Sequence, residues 1–131
     1  KATLVDGSYH PVDSSEMAFK MATTMAFKDA FSQAKPVILE PISSVVVTVP
    51  DGYTGDIMGH FNKKRARVMG SEILEDGMIK ITAEAPQSEV MNYAVDLRSM
   101  TQGQGFFEMD FLGYEFAPDI VANRIIEDRK V

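Results

Sequence analysis

Four positively charged side chains stand close together in the middle of the chain, in the run NKKRAR: Lys63, Lys64, Arg65 and Arg67. Cations at this spacing can hold the phosphates of a nucleic acid in place without reading its bases. A purely structural interpretation is also open. The run falls at the C-terminal end of a predicted helix, where positive charges interact favourably with the helix dipole.

A second candidate is the glycine-punctuated segment TQGQGFFEMDF, residues 101–111. Its aromatic residues loosely resemble the base-stacking strand of an RNA-recognition motif. That motif needs a basic residue before its glycine, whereas Gln104 stands there. We therefore interpret the phenylalanines as alternating core and edge residues of a strand. Gly103 and Gly105 are expected to turn the chain from helix to strand at positive φ.

The residue types that mark enzymes and metal centres do not form a recognisable constellation. No cysteine is present, and the chain contains neither a P-loop pattern nor a G-x-S-x-G pattern. His10 and His60 are far apart and belong to no spaced pair. We therefore expect no catalytic residue, no metal site and no cofactor in this chain.

Length and composition predict a folded chain. The 131 residues fit one domain, or one domain plus a piece of another, and 45% are hydrophobic. The net charge of −6 argues against DNA binding over the whole surface, but it leaves room for a local basic patch. Because the apolar run VVVTV is only strand-sized and no signal peptide is visible, we expect a cytoplasmic protein with no membrane partner. The chain begins with Lys1 rather than Met, so we expect a fragment of a longer protein.

The first 35 residues are predicted to form a strand and a helix. Residues 2–5, ATLV, are β-like. Asp13 stands three residues before Glu16, which is the capping-box spacing, and Pro36 ends the pattern, so a helix is predicted over residues 14–34. The predicted apolar face of this amphipathic helix, with alanines between its large residues, carries Met17, Met21, Met25, Phe27 and Phe31.

From residue 36 onward the elements alternate as β-α-β-β-α-β. Thr54 and Ser88 are predicted to cap the two helices, the first running to about residue 66, and Asp76-Gly77 is predicted to form a hairpin turn. The predicted inner residues are Ile57, Met58 and Phe61 in the first helix, and Val90, Met91, Ala94, Val95 and Leu97 in the second. This order predicts an α+β, ferredoxin-like fold: a four-stranded antiparallel sheet with two helices on one face. A strand-helix remnant of a second domain precedes it, and a short helix follows.

Four runs resemble, in order, the C-terminal part of bacterial elongation factor G and its close paralogues: DGSYHPVDSSEMAFKMA, LEPISSVVVTVP, GDIMGHFNKKRARVMG and AEAPQSEVMNYAVDLRSMTQGQGFFEMDFLGYEFAP. The resemblance implies that residues 1–35 are the last strand and helix of the fourth domain. Residues 36–118 would be the ferredoxin-like fifth domain, and residues 119–131 a terminal helix and tail. The family typically has an RRG run where this chain has KKRAR, with Ala66 at the glycine, and this difference favours a divergent paralogue.

The resemblance also implies a function. The family is a ribosome-dependent GTP hydrolase that moves transfer and messenger RNA, and its GTP and Mg²⁺ bind in an N-terminal domain that this chain lacks. The fragment itself would be no enzyme. Its partners would be the ribosome, chiefly large-subunit ribosomal RNA and the stalk base, with no DNA. Lys63, Lys64, Arg65 and Arg67 would contact that RNA.

Three further possibilities stay open at this stage. The chain could be a freestanding ferredoxin-like module that binds RNA or senses a small molecule, or a fragment of a ribosomal-protection protein. The parent could perform translocation, ribosome recycling or protection.

In addition, a fourth-domain helix without its upstream strands exposes apolar side chains, so we expect the fragment to self-associate through that helix or through residues 2–5.

Overall fold

A computed structural model describes residues 1–130 of the chain. The chain divides into two compact units, of which the first is Lys1–Val37 and the second begins at Ile38. The first unit contains helix α1 (Glu16–Gln33). The second contains four strands and four helices, which are, in chain order, β1 (Leu39–Pro50), α2 (Thr54–Lys63), β2 (Arg67–Ile73), β3 (Met78–Pro86), α3 (Gln87–Val90), α4 (Tyr93–Thr101), β4 (Phe106–Phe116) and α5 (Asp119–Asp128). None of the helices in residues 1–130 is long and apolar enough to cross a membrane.

Helix α1 spans Glu16–Gln33, close to the predicted 14–34. The prediction that Asp13 caps it is wrong. Ser15 is the N-cap, because its hydroxyl accepts a hydrogen bond from the Ala18 N–H at 3.1 Å. Residues 2–5 do not form the predicted strand. A strand is stabilised by hydrogen bonds to a neighbour, and none of the strands in residues 1–130 pairs with this segment.

The large apolar residues that were predicted to form the apolar face of α1 are exposed. Met17, Met21 and Met25 follow one another at four-residue spacing along one stripe. Phe27 comes two residues after Met25, about 200° further round the helix, so it returns to the other flank of Met17 and the five residues occupy an arc of about 160°. All five predicted residues are between 54% and 69% exposed, and α1 contains no buried residue. The helix therefore exposes large apolar side chains over one broad side, with polar residues such as Lys20 between them.

The sheet of the second unit has the strand order β2-β3-β1-β4, and every neighbouring pair is antiparallel. Strand β1 lies in the centre, so that Val47 stands opposite Ile81 on one side and Phe107 on the other. Helices α2, α3 and α4 contribute buried residues to the same core as the strands. The predicted ferredoxin-like fold is confirmed.

Alternation along β1 and β3 places the core on one face of the sheet. The buried residues include Val45, Val47, Val49, Ile57, Phe61, Ile79, Ile81, Ala83, Val90, Tyr93 and Leu97. The intervening residues of the two central strands face away from this core and are only half-buried: Ser44, Val46, Thr48, Lys80, Thr82 and Glu84. Burial of each large apolar side chain contributes about 1.5–3 kcal/mol, so this face accounts for most of the stability of the unit.

The β2-β3 connection is the predicted hairpin. Asp76 has a φ of 63° and Gly77 a φ of 74°. Two successive left-handed residues give the reversal that suits the twist of the flanking strands. The Leu74 N–H closes the connection by donating to the Met78 carbonyl at 2.8 Å.

The helix starts were predicted less well. Thr54 is the first residue of α2 rather than its cap, and its hydroxyl donates back to the Asp51 carbonyl at 2.7 Å. Ser88 lies inside α3, whose N-cap is Pro86. The single helix predicted after Ser88 is two helices, with the break at positions 91 and 92.

Three residues that were predicted to lie in the core are exposed, namely Met91, Ala94 and Val95. Met91 is 72% exposed and Val95 65% exposed, although both were predicted to face inward. The buried side is instead formed by Val90, Tyr93, Leu97 and Thr101. Their spacing of three or four residues is that of one helix face, and this face excludes positions 91 and 95.

Gly103 and Gly105 serve different purposes. Gly103 has a φ of 83°, and its N–H donates to the Arg98 carbonyl at 3.0 Å, so it turns the chain out of α4 as predicted. Gly105 has no positive φ, contrary to the prediction. A Cβ at Gly105 would lie 3.0 Å from Leu97 Cγ and 3.1 Å from Val49 Cγ1. Glycine fits there because strand β4 begins close against the packed core, where a Cβ would push on Leu97 and Val49.

We predict that Gly105→Ala lowers the free energy of unfolding by about 1–3 kcal/mol, because Leu97 and Val49 are buried and cannot move aside easily. The matched control is Gly59→Ala in α2, where an added Cβ meets nothing within 4 Å. Removing a helical glycine should stabilise by about 0.5–1 kcal/mol. Urea unfolding followed by circular dichroism measures both. Equal effects for the two variants would contradict the close packing at Gly105.

Candidate nucleic-acid interface

The four cations lie on the turn that leads from α2 to β2. Helix α2 ends at Lys63, earlier than the predicted residue 66. Arg65 then adopts a left-handed conformation with a φ of 53°, and the Ala66 N–H donates to the Phe61 carbonyl at 3.0 Å. Ala66 packs against the core that contains Phe61. These are the features of a Schellman motif, so the turn is held at a fixed angle to the helix.

Arg65 makes the most hydrogen bonds of the four. Its Nη1 and Nη2 donate to the two carboxylate oxygens of Glu40 at 3.0 and 2.8 Å, and its Nε donates to Glu89 Oε1 at 3.3 Å. Glu40 is only 7% exposed, and a buried carboxylate is costly without a charged partner. The hydrogen bonds that Arg65 donates to the Glu40 carboxylate raise the pKa of its guanidinium. Arg65, which was predicted to contact RNA, is therefore held in an ion pair within the unit.

Lys64 and Arg67 also have acidic neighbours. Lys64 Nζ lies 3.3 Å from Asp96 Oδ2, and Arg67 is paired with Glu84. A second carboxylate oxygen, Glu115 Oε1, is 3.8 Å from Arg67 Nη2. The Arg67 side chain is nevertheless 65% exposed, so its charge is accessible to a partner.

Lys63 differs from the other three. It is exposed, and among residues 1–130 no carboxylate lies within 4.0 Å of its ammonium group. The turn is thus not a simple cationic cluster, since its paired cations are balanced by Glu40, Glu84, Glu89, Asp96 and Glu115. Lys63 is the side chain best placed to attract a phosphate.

Sequence analysis did not identify the acidic partners, because they come from distant segments. Glu40, Glu89 and Asp96 lie on β1, α3 and α4 and reach the turn only when the sheet forms. One signal was present. Glu40 is a lone carboxylate in the otherwise apolar run VILEPI, and such a residue in a central strand needs a cation nearby.

His60 lies at the base of the turn. Its Nε2 is 3.5 Å from Asp96 Oδ2, and its ring centroid is 5.4 Å from that of Tyr93. Burial lowers the pKa of His60; Asp96 opposes this shift, while Lys64 and Lys63 add to it. Burial raises the pKa of Tyr93. Within the described part of the chain, His60 Nδ1 and the Tyr93 hydroxyl are buried without a hydrogen-bond partner.

The segment that begins at Thr101 does not form a base-stacking platform. Phe107 packs against the core and meets Tyr93 edge-on at a centroid distance of 5.8 Å. Phe106 and Phe111 are 70% and 57% exposed, but they lie on the edge strand β4. The uncovered face of the two central strands carries Val46 and Thr82 instead of aromatic side chains. Residues 1–130 also contain no group of three His, Asp or Glu side chains that could hold a metal ion.

Comparison with known proteins gives two family matches. The model for the elongation factor G C-terminus matches residues 37–125, and the model for elongation factor G domain IV matches residues 1–35. A crystal structure of a protein from Thermus thermophilus is similar over 95% of this chain, with 38% sequence identity and a TM-score of 0.81. The match covers 19% of that protein, so this chain spans about a fifth of its length.

We predict that the protein loses stability as the pH falls below 6.5, the ordinary pKa of histidine. Because the folded pKa of His60 is lowered, the unfolded chain binds the proton more readily, and acid in this range favours unfolding. Urea unfolding between about pH 7 and pH 5 tests this, with His60→Gln as the variant that should lose this component. A His60→Gln protein with unchanged pH dependence would contradict the assignment.

Proposed function

The chain belongs to the elongation factor G family, and we propose that it docks on the large ribosomal subunit as the C-terminal part of a translational GTPase. The observation that carries the proposal is Lys63, an exposed cation on a capped turn of a translation-factor domain whose net charge is otherwise negative. A rigid turn lowers the entropy lost when its side chain is fixed against a partner. The partner we propose is ribosomal RNA at the base of the stalk, contacted through phosphates.

The four cations predicted from the sequence would contribute unequally to this contact. Lys63 would contact phosphate directly. Arg67, which is 65% exposed, and Lys64, which is 28% exposed, would add to the local field while remaining paired with Glu84 and Asp96. Phosphate contacts of this kind position a protein without reading sequence.

In the intact parent, this docking would support GTP-dependent movement of transfer and messenger RNA in the cytoplasm. The 131 residues contain no P-loop motif, so we propose that GTP and Mg²⁺ bind elsewhere in the parent and that this chain does not hydrolyse GTP. Its part would be to fix the orientation of the factor on the ribosome.

We also propose that the isolated chain self-associates through α1. The side chains of Met17, Met21, Met25, Phe27 and Phe31 are all exposed on one broad side of the helix, and clustered exposed apolar side chains favour association. A two-fold dimer is the simplest closed arrangement that covers such a surface.

We predict that Lys63→Gln weakens binding to purified large ribosomal subunits about three- to tenfold at low salt and flattens the salt dependence by about one phosphate contact. Lys80→Gln is the matched control. It removes the same charge from the uncovered face of the sheet, away from the turn, and should leave the affinity nearly unchanged. Filter binding across a salt series measures both. If the two variants bind with the same affinity and salt dependence, the proposed phosphate contact of Lys63 is wrong.

We predict that the isolated chain is a dimer at micromolar concentration and that Met21→Lys makes it monomeric, because a charge at a buried apolar interface is costly. Light scattering over a concentration series measures the mass, and circular dichroism checks that the second unit stays folded. A wild-type chain that remains monomeric throughout the series rules out this interface.

A further inference from the structure

We propose that Arg65 is a positioning residue, which fixes the α2-β2 turn to Glu40 and Glu89 so that Lys63 faces outward, and that it does not contact RNA. This assignment rests on the proposed function, because Lys63 is the side chain being positioned. The backbone provides the first argument. Arg65 occupies the left-handed position of the helix-ending motif, with a φ of 53°, where glycine is the unstrained residue.

An arginine at such a position needs a side-chain interaction that offsets the backbone strain. Arg65 has two such interactions. The guanidinium fork binds both oxygens of Glu40 at the start of β1, and Nε binds Glu89 in α3. The contacts therefore join the end of α2 to the central strand and to the helix that follows β3. A planar fork gives this bidentate geometry, which an ammonium group cannot reproduce.

The burial of Glu40 provides the second argument. The Glu40 side chain is 9% exposed and that of Arg65 is 30% exposed. If Arg65 turned outward to a phosphate, Glu40 would be left as a buried carboxylate without its bidentate partner, which is strongly unfavourable. Among residues 1–130, Lys63 has no such carboxylate partner. It lies two residues before Arg65. The backbone around them is held by the Lys64 N–H, which donates to the His60 and Phe61 carbonyls, and by the Ala66 N–H, which donates to the Phe61 carbonyl.

Glu40→Gln distinguishes a positioning role of Arg65 from an RNA contact, because the two roles predict opposite changes in ribosome affinity. It removes one negative charge and loosens the fork without altering any cation. If Arg65 contacted RNA, freeing it would tighten binding to large ribosomal subunits. If Arg65 positions Lys63, binding should weaken about threefold or more. Glu108→Gln is the matched control, because it removes the same charge from an exposed position on β4.

Arg65→Lys gives a second comparison with the charge kept. A positioning role predicts that Arg65→Lys weakens binding about as much as Glu40→Gln, since lysine lacks the fork. A role as a phosphate contact predicts an affinity close to wild type, because the positive charge remains. Glu89→Gln, which removes only the Nε partner, should act in the same direction as Glu40→Gln with a smaller effect and is the milder variant if Glu40→Gln unfolds.

Amide exchange separates this inference from the proposed function. In Glu40→Gln or Glu89→Gln, the Ala66 amide, which is bonded to the Phe61 carbonyl, should exchange faster than in wild type, whether or not the ribosome is bound. Unchanged exchange, or tighter ribosome binding by Glu40→Gln, overturns the positioning role. A third outcome separates the two proposals: Lys63→Gln leaves ribosome binding unchanged, but the Ala66 amide exchanges faster in Glu40→Gln. In that case Arg65 does hold the turn, and the proposed phosphate contact of Lys63 is wrong.

Discussion

The fold of the second unit depends on one strand that is paired on both sides. Strand β1 hydrogen-bonds to β3 and β4, and it sends Val45, Val47 and Val49 into the core. Because its side chains alternate between faces, a shift by one residue would exchange the apolar set for Ser44, Val46 and Thr48. The positions of α2 and α4 follow, since both helices must cover that one apolar face. Glu40 lies at the start of the same strand, so the register of β1 also determines where Arg65 finds its carboxylate.

The site shows how an acidic domain can present a positive charge. Five carboxylates lie around the turn, and they bind the cations that face them. Pairing of this kind holds the backbone in place and removes the paired charges from the field that a distant partner would feel. Lys63 is left with an exposed charge on a rigid support.

The sequence predicted those features that depend on local chemistry. The β-branched run of β1, the Asp76-Gly77 turn and the placement of Ile57 and Phe61 all follow from residue type and spacing. Caps were harder, since several small polar residues compete at each helix start. The partners of the cations were not predictable in detail, because salt bridges between remote segments require the tertiary fold. The helix break before Tyr93 had no clear local signal, and the apolar types of Met91 and Val95 did not show that both lie off the buried helix face.

The order of the strands has a consequence for the synthesis of the chain. The central strand β1 is made first among the four, whereas its neighbour β4 is made last. Until β4 has left the exit tunnel, one side of β1 has no hydrogen-bonding partner and the core stays open along that side. The nascent unit therefore passes through a stage in which an apolar strand edge is accessible to chaperones or to other chains. Glu108 and Asp110 on β4 place negative charges along the strand that closes this edge, and they reduce unwanted pairing with another sheet once it is closed.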